Sequence, residues 1–212
     1  MTLMHGTDRL ESARLVLRRV APDDLPFFTR IHALPEVARY LWPGGQPRSP
    51  ERTAAWLQST LESYERLALS YLAVLRKEDG ALIGRCGLTE LAVESATPEH
   101  GLRKGWFGDA EAPADVPLTF ECELGYTFDL AVWGQGFAAE AAHCVRDYAR
   151  DVLLLSYAIS AILPQNARSR RIVERFGVRA DGQMEVVSLT FDRYVWPLAT
   201  GGTTRPQPAS PQ

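Results

Sequence analysis

The chain has 212 residues, enough for one domain to bury a full core without disulfides or a structural metal. Lys and Arg number 23 against 26 Asp and Glu, a net charge of −3, so no basic excess marks a nucleic-acid or anionic-membrane partner. Three cysteines, none in a CxxC pair, argue against a disulfide framework or a zinc knuckle, and the 4 histidines show no metal spacing.

Residues 1–8 read as a flexible start without the apolar run of a signal peptide, and a cytoplasmic location is expected. Arg14-Leu-Val-Leu-Arg18 reads as a first strand, with Leu15 and Leu17 on one face. Pro22-Asp-Asp24 opens a helix to about His32, and a short one follows from Pro35 to Leu41. Ser49-Pro-Glu51 supplies the cap and first turn of a longer helix to about Leu67. Two apolar runs, Ser70–Arg76 and Ala81–Leu88, flank Asp79-Gly80 and read as a hairpin.

Residues 92–117 read as a polar loop insertion containing Trp106 and Phe107. Its length and its exposed aromatic pair suggest a part in acceptor choice. Phe120–Phe128 alternates as a strand, and Gly136 to about Val152 steps as an amphipathic helix. Tyr157–Leu163 is apolar on both faces, as a central strand would be. Asn166–Phe176 is a helix stopped by Gly177. Gln183–Val187 and Leu189–Leu198 close the chain as a hairpin, before a Gly/Pro/Ser/Thr-rich disordered tail over 199–212. The reading is an α/β (α+β) single domain over 9–198, with a mixed, largely antiparallel sheet. Its order is β-α-α-β-β-β-α-β-α-β-β, with one βαβ crossover.

Two stretches carry the chemistry. Trp133-Gly-Gln-Gly-Phe-Ala138 is a Gly-rich turn opening a helix, where unpaired N–H groups and the dipole suit a phosphate. It is neither a Walker motif nor a dinucleotide fingerprint, and a ligand-free turn is the alternative. In the second stretch, Asn166 is a sensible helix cap with Ser169 on nearly the same face. Arg168, Arg170 and Arg171 crowd the first turns, the wrong sign for the dipole unless an anion compensates.

These stretches, with Leu15-Val-Leu-Arg18, Gly80-Ala-Leu-Ile-Gly84 and Glu123-Leu-Gly-Tyr126, stand in the order of a known family. The chain resembles the GCN5-related N-acetyltransferases (GNAT), in particular the RimJ/RimL-like branch, over roughly residues 9–198. The resemblance implies acetyl-CoA as acetyl donor and an amine acceptor, either a protein N-terminus or a small molecule. It implies cofactor contacts at Phe128, Leu130, Trp133, Gly134, Gln135, Gly136, Phe137, Ala138, Asn166 and Ser169. Backbone near Phe128 to Leu130 would polarise the thioester carbonyl. Trp133 stands where the family pattern has Gln or Arg. The Tyr that many members carry seven residues after the Asn is Val173 here, so Ser169 is expected to meet the cofactor sulfur instead.

For the base, strand alternation places Glu121, Glu123, Gly125 and Thr127 on one face, and Cys122, Leu124, Tyr126 and Phe128 on the other. The apolar set should pack on the helices, Tyr126 with it. The polar set faces the cleft, where a carboxylate can deprotonate the arriving ammonium. Glu123 is the expected base, with a solvated strand position as its alternative. Glu140 is adequately explained by the helix dipole. The reaction expected is direct attack of the amine, with no metal and no nucleic-acid or membrane partner. A non-catalytic acyl-CoA sensor or interaction module is the rival. The acceptor and the oligomeric state are open, a homodimer among the options.

Overall fold

The computed structural model describes residues 9–41, 43–67, 70–95, 101–107 and 112–198. The flexible start, the disordered tail and parts of the 92–117 segment lie outside the described residues. The strands are β1 (Arg9–Glu11), β2 (Leu15–Arg19), β3 (Tyr71–Arg76), β4 (Leu82–Glu94), β5 (Lys104–Trp106), β6 (Leu118–Phe128), β7 (Tyr157–Ile162), β8 (Ala180–Val186) and β9 (Leu189–Pro197). The helices are α1 (Leu25–His32), α2 (Pro35–Ala38), α3 (Pro50–Leu67), α4 (Phe137–Asp151) and α5 (Ala167–Arg175).

The expected mixed α/β sheet is present, with two additions. The short β1 pairs with β2, Leu10 opposite Leu17, and is too brief to leave an alternation signal. The second addition corrects the reading of 92–117 as a polar loop. Residues 92–94 continue β4, and Lys104–Trp106 form β5, antiparallel to β4 and parallel to β8. Gly105 makes this fit: it is buried between Met184 and the Ala92 carbonyl, where a Cβ would be tight. Three residues with one glycine carry no strand pattern, so only the partners reveal the strand.

β5 closes a circuit. β4 pairs with β6, β6 with β7, β7 with β9, β9 with β8, and β8 with β5. Leu91, Val93, Ile159, Met184, Val186 and Phe191 pack together as a core of this part of the molecule. The main core lies under α4, where Ala141, Ala142, Val145 and Ala149 meet Val74, Cys86, Leu124 and Trp196. α1 and α3 bury Phe28, Ile31 and Leu57 against the other side of β3, at Ala73.

Local chemistry explains the turns. Asp79 accepts from Arg76 and from the Ala81 N–H, while Gly80 takes φ +71° between β3 and β4. The closing hairpin turns on Val187 and Ser188, both at positive φ (48° and 63°), a strained choice for a β-branched residue.

Only one bridge, Glu123 to Ile159, joins the parallel pair β6 and β7. Below it the Ser160 hydroxyl donates to the Leu124 carbonyl at 2.6 Å. No further ladder pair follows toward Phe128, so the two strands part and the sheet opens there.

Candidate active site

The opening between β6 and β7 connects two cavities. The larger, about 780 Å³, is lined by β4 and β6 on one side and α3 on the other, and Glu123 faces it. The smaller, about 610 Å³, runs along the Gly-rich turn and α5. Tyr40, Leu41, Tyr126, Thr127, Asn166 and Ser169 line both, so they stand at the junction.

The smaller groove has the features of an anion cradle. Gly134 and Gly136 adopt φ +80° and +84°, and a Cβ at Gly134 would meet nothing within 4 Å. The first helical bond of α4 is Glu140 N–H to the Gly136 carbonyl, which leaves the preceding N–H groups at the helix start for a ligand. Across the groove stand Arg168, Arg171 and Arg175 of α5, whereas Arg170 turns away from it and donates to the Pro164 carbonyl at 3.1 Å. Arg168 lies over the Trp133 ring at 4.7 Å, and Trp133 donates its indole N–H to the Phe128 carbonyl at 2.9 Å. Trp133 therefore ties the turn to the end of β6.

Not every expected contact lies in this groove. Phe128, Leu130, Trp133, Gly134, Gly136, Phe137, Ala138, Asn166 and Ser169 line it, but Gln135 does not. The Gln135 amide donates back to the Ala131 carbonyl, and its own carbonyl accepts from Arg14. The Phe137 side chain packs in the core. Asn166 acts as the cap its position suggested, accepting from the Ser169 N–H at 3.1 Å. Glu140 has a larger structural part than the dipole: it accepts from Ser12 and twice from Arg14, each at 2.7 Å. Burial works to raise the Glu140 carboxyl, and these hydrogen bonds outweigh it and hold it below the usual range.

The backbone at the strand end needs a correction. The Asp129 N–H is already taken by the Ile83 carbonyl at 2.9 Å, so it points toward β4. N–H directions alternate along a strand. It is therefore Tyr126 and Phe128 whose N–H groups face the opening, the side on which Leu124 accepts from Ser160.

Glu123 is buried at 6% exposure, not a solvated strand position. Burial pushes its carboxyl up to about 7, against a backbone N–H from Ala161, the positive charge of Arg85 and the Thr89 hydroxyl. A carboxylate that titrates near neutrality beside a cavity has the properties of a general base. Its neighbour two residues away differs. Glu121 forms a buried two-point ion pair with Arg193 of β9, at 2.8 and 3.1 Å, and is a strut across β7.

Tyr126 corrects an expectation. Its ring packs against the core, but its hydroxyl reaches the junction and shares a 2.8 Å hydrogen bond with the Ser169 hydroxyl. Burial pushes this phenol well above its ordinary value, so it stays protonated. Val173 is fully buried in the core. Alternation assigned Tyr126 to the core face and could not show that α5 would cross within reach of the ring's far end. The cysteines are inert in this setting: burial raises Cys86, and raises Cys122 to about 12. Among the described residues no group of three or more His, Cys, Asp or Glu is placed to hold a metal.

The fold that carries this site has counterparts among known proteins. A model of the acetyltransferase (GNAT) domain matches residues 14–179. The chain belongs to the GNAT family. It is an acyltransferase of that family, and GNAT domains use acetyl-CoA.

The acetyltransferase from Agrobacterium tumefaciens str. C58 is 26% identical with a TM-score of 0.68, over 92% of this chain and 98% of that one. Mycobacterium smegmatis RimJ in complex with CoA-disulfide shares the fold at 15% identity and a TM-score of 0.61, over 86% and 81%. The uncharacterized N-acetyltransferase p20 of Bacillus licheniformis is 21% identical over 82% of this chain and 84% of its own length.

Proposed function

We propose that this GNAT protein transfers the acetyl group of acetyl-CoA to a primary amine by direct attack, with Glu123 as base. The observation that carries this reading is the buried Glu123 carboxyl, raised to about 7, in a cavity that meets the Gly-turn groove at Tyr126 and Ser169. The groove takes the phosphates on the α4 N-terminus and the arginines of α5. The Tyr126 and Phe128 N–H groups polarise the thioester carbonyl, as donors aimed at a developing oxyanion do. Glu123 accepts a proton from the ammonium, directly or through a water, so that the free amine attacks the carbonyl carbon. The C–S bond breaks as the Tyr126–Ser169 hydroxyls give a proton to the leaving sulfur, and the second proton that the attacking nitrogen loses on becoming an amide restores them.

The acceptor belongs to the amines that RimJ/RimL-like proteins modify, a protein N-terminus or a small molecule, and the reaction is placed in the cytoplasm. The rival reading, an acyl-CoA sensor without turnover, rested on the missing Tyr. The hydroxyl of Tyr126 at the junction weakens it. The purified protein, acetyl-CoA and a panel of amines decide between them by free-thiol release. Amine-dependent thiol supports the transferase. Tight acetyl-CoA binding with no amine-dependent thiol supports the sensor.

A further inference from the structure

Among the described residues, one buried cation in the larger cavity makes no ion pair. Arg85 lies in β4, within the apolar run Leu82-Ile-Gly-Arg-Cys-Gly-Leu88, and is only 6% exposed. Its guanidinium is stacked on the Tyr71 ring at 3.7 Å and against Trp56 at 4.9 Å. Its Nε and Nη1 atoms are buried and have no hydrogen-bond partner. Thr127 stands directly opposite on β6, and its hydroxyl is likewise buried without a partner. Both residues line the cavity that Glu123 faces, as do Arg48 and Arg52.

Stacking on aromatic rings favours a cation but leaves its Nε and Nη1 groups unsatisfied, and a buried unpaired charge is costly. A planar guanidinium with a free hydroxyl beside it matches a carboxylate in geometry and charge. Glu123 does not fill this role. Its register partner is Thr89, four residues along β4 from Arg85, and the two charges sense each other only at a distance. His32, packed against Trp56, is held neutral with its pKa down at about 2. Burial is the main cause there, with Arg85 and Arg48 adding to it.

We propose that the acceptor carries a carboxylate as well as its amine, with Arg85 and Thr127 holding the carboxylate while Glu123 receives the ammonium. The proposal rests on the acetyl-transfer reading and deepens it. The acceptor is an amino acid, or a polypeptide start with an acidic side chain. An unsubstituted amine leaves Arg85 unpaired and gains less from the site. The cation and the acid select opposite ends of a zwitterion, and the separation between them selects its length.

The test measures thiol release from acetyl-CoA with amino acids of increasing spacer between amine and carboxylate, each beside its carboxamide. The expected result for the unaltered protein is a preference of at least ~30-fold in kcat/KM for one or more carboxylates over the matched carboxamide, the scale of a charge-assisted pair. In Arg85→Met that ratio falls to within ~3-fold, and in Thr127→Val it falls part of the way. The ratio cancels any effect of Arg85 on Glu123, because both acceptors share the base. The Thr127 variant keeps the test valid if Arg85→Met fails to fold.

Equal turnover of carboxylates and carboxamides overturns the proposal, as does a ratio that survives both substitutions. Calorimetric titration of the same ligands separates this failure from that of the enzyme reading. Arg85-dependent carboxylate binding without thiol release from any amine refutes the transferase and keeps the anion site. Thiol release from every amine alike does the reverse. Amidated peptides beginning with Asp or Glu, set against Asn or Gln, show whether the carboxylate comes from a polypeptide or from a free amino acid.

Discussion

Replacing Glu123 by Gln removes one charge from the place where burial most resists it, and two opposite effects should follow. The carboxyl titrates at 4.5 in the unfolded chain and at about 7 in the fold. Between those values the folded state binds more protons than the unfolded one, so this group makes stability fall as pH rises. The gap of about 2.5 pH units, at 1.36 kcal/mol each, corresponds to roughly 3 kcal/mol of cost fully expressed above pH 7. Glu123→Gln removes that cost and keeps a carbonyl oxygen to accept from the Ala161 N–H. Its melting temperature at pH 8 should exceed that of the unaltered protein by roughly 5–10 °C, a gap that closes as pH falls to 4.5. Activity moves the other way. The unaltered kcat/KM should rise with pH through about 7 as the carboxylate forms, and Glu123→Gln should lose ~10²-fold or more along with that pH step. Thermal melts and thiol release across the same buffers read both effects. A rate within a few-fold of the unaltered protein, or a melting difference that ignores pH, would refute the assignment of Glu123 as a buried base.

Three further outcomes are expected. Gly136→Asp should lower acetyl-CoA affinity by at least ~2 kcal/mol in calorimetric titration, because a carboxylate would occupy the anion cradle. A side chain at φ +84° is strained, so the melting curve of the variant is recorded first and the titration is read on folded protein. Tyr126→Phe should cut kcat by about 10²-fold with acetyl-CoA affinity unchanged within two-fold, since only the hydroxyl shared with Ser169 is lost; an unaltered kcat would remove Tyr126 from the proton path. Arg193→Met strands the buried Glu121 carboxylate and should cost ~3 kcal/mol in denaturant unfolding. Adding Glu121→Leu should recover most of that loss, and failure to recover would mean that Arg193 acts through its packing or its ion pair with Asp181 and not through Glu121.

The parts of this protein that local rules determine are legible in the sequence. Period and punctuation give α3, α4 and α5 almost to the residue, and Asp79-Gly80 gives the β3–β4 hairpin. The Gly-rich turn declares itself because glycine takes the left-handed conformation that opens the helix start without strain, and strand alternation puts Glu123 on the cleft face. What depends on distant partners is not legible. β5 exists because β4 and β8 pair with it, although its three residues have no preference of their own. The ring of Tyr126 obeys the alternation that assigned it to the core, while its hydroxyl is functional because α5 crosses its far end. Arg85 looks like an anomaly in an apolar strand until Thr127, Trp56 and Tyr71 surround it. Periodicity reports which face a side chain takes. Burial, pKa and unmet hydrogen bonds depend on what the rest of the chain brings to that face, and only the tertiary structure decides them.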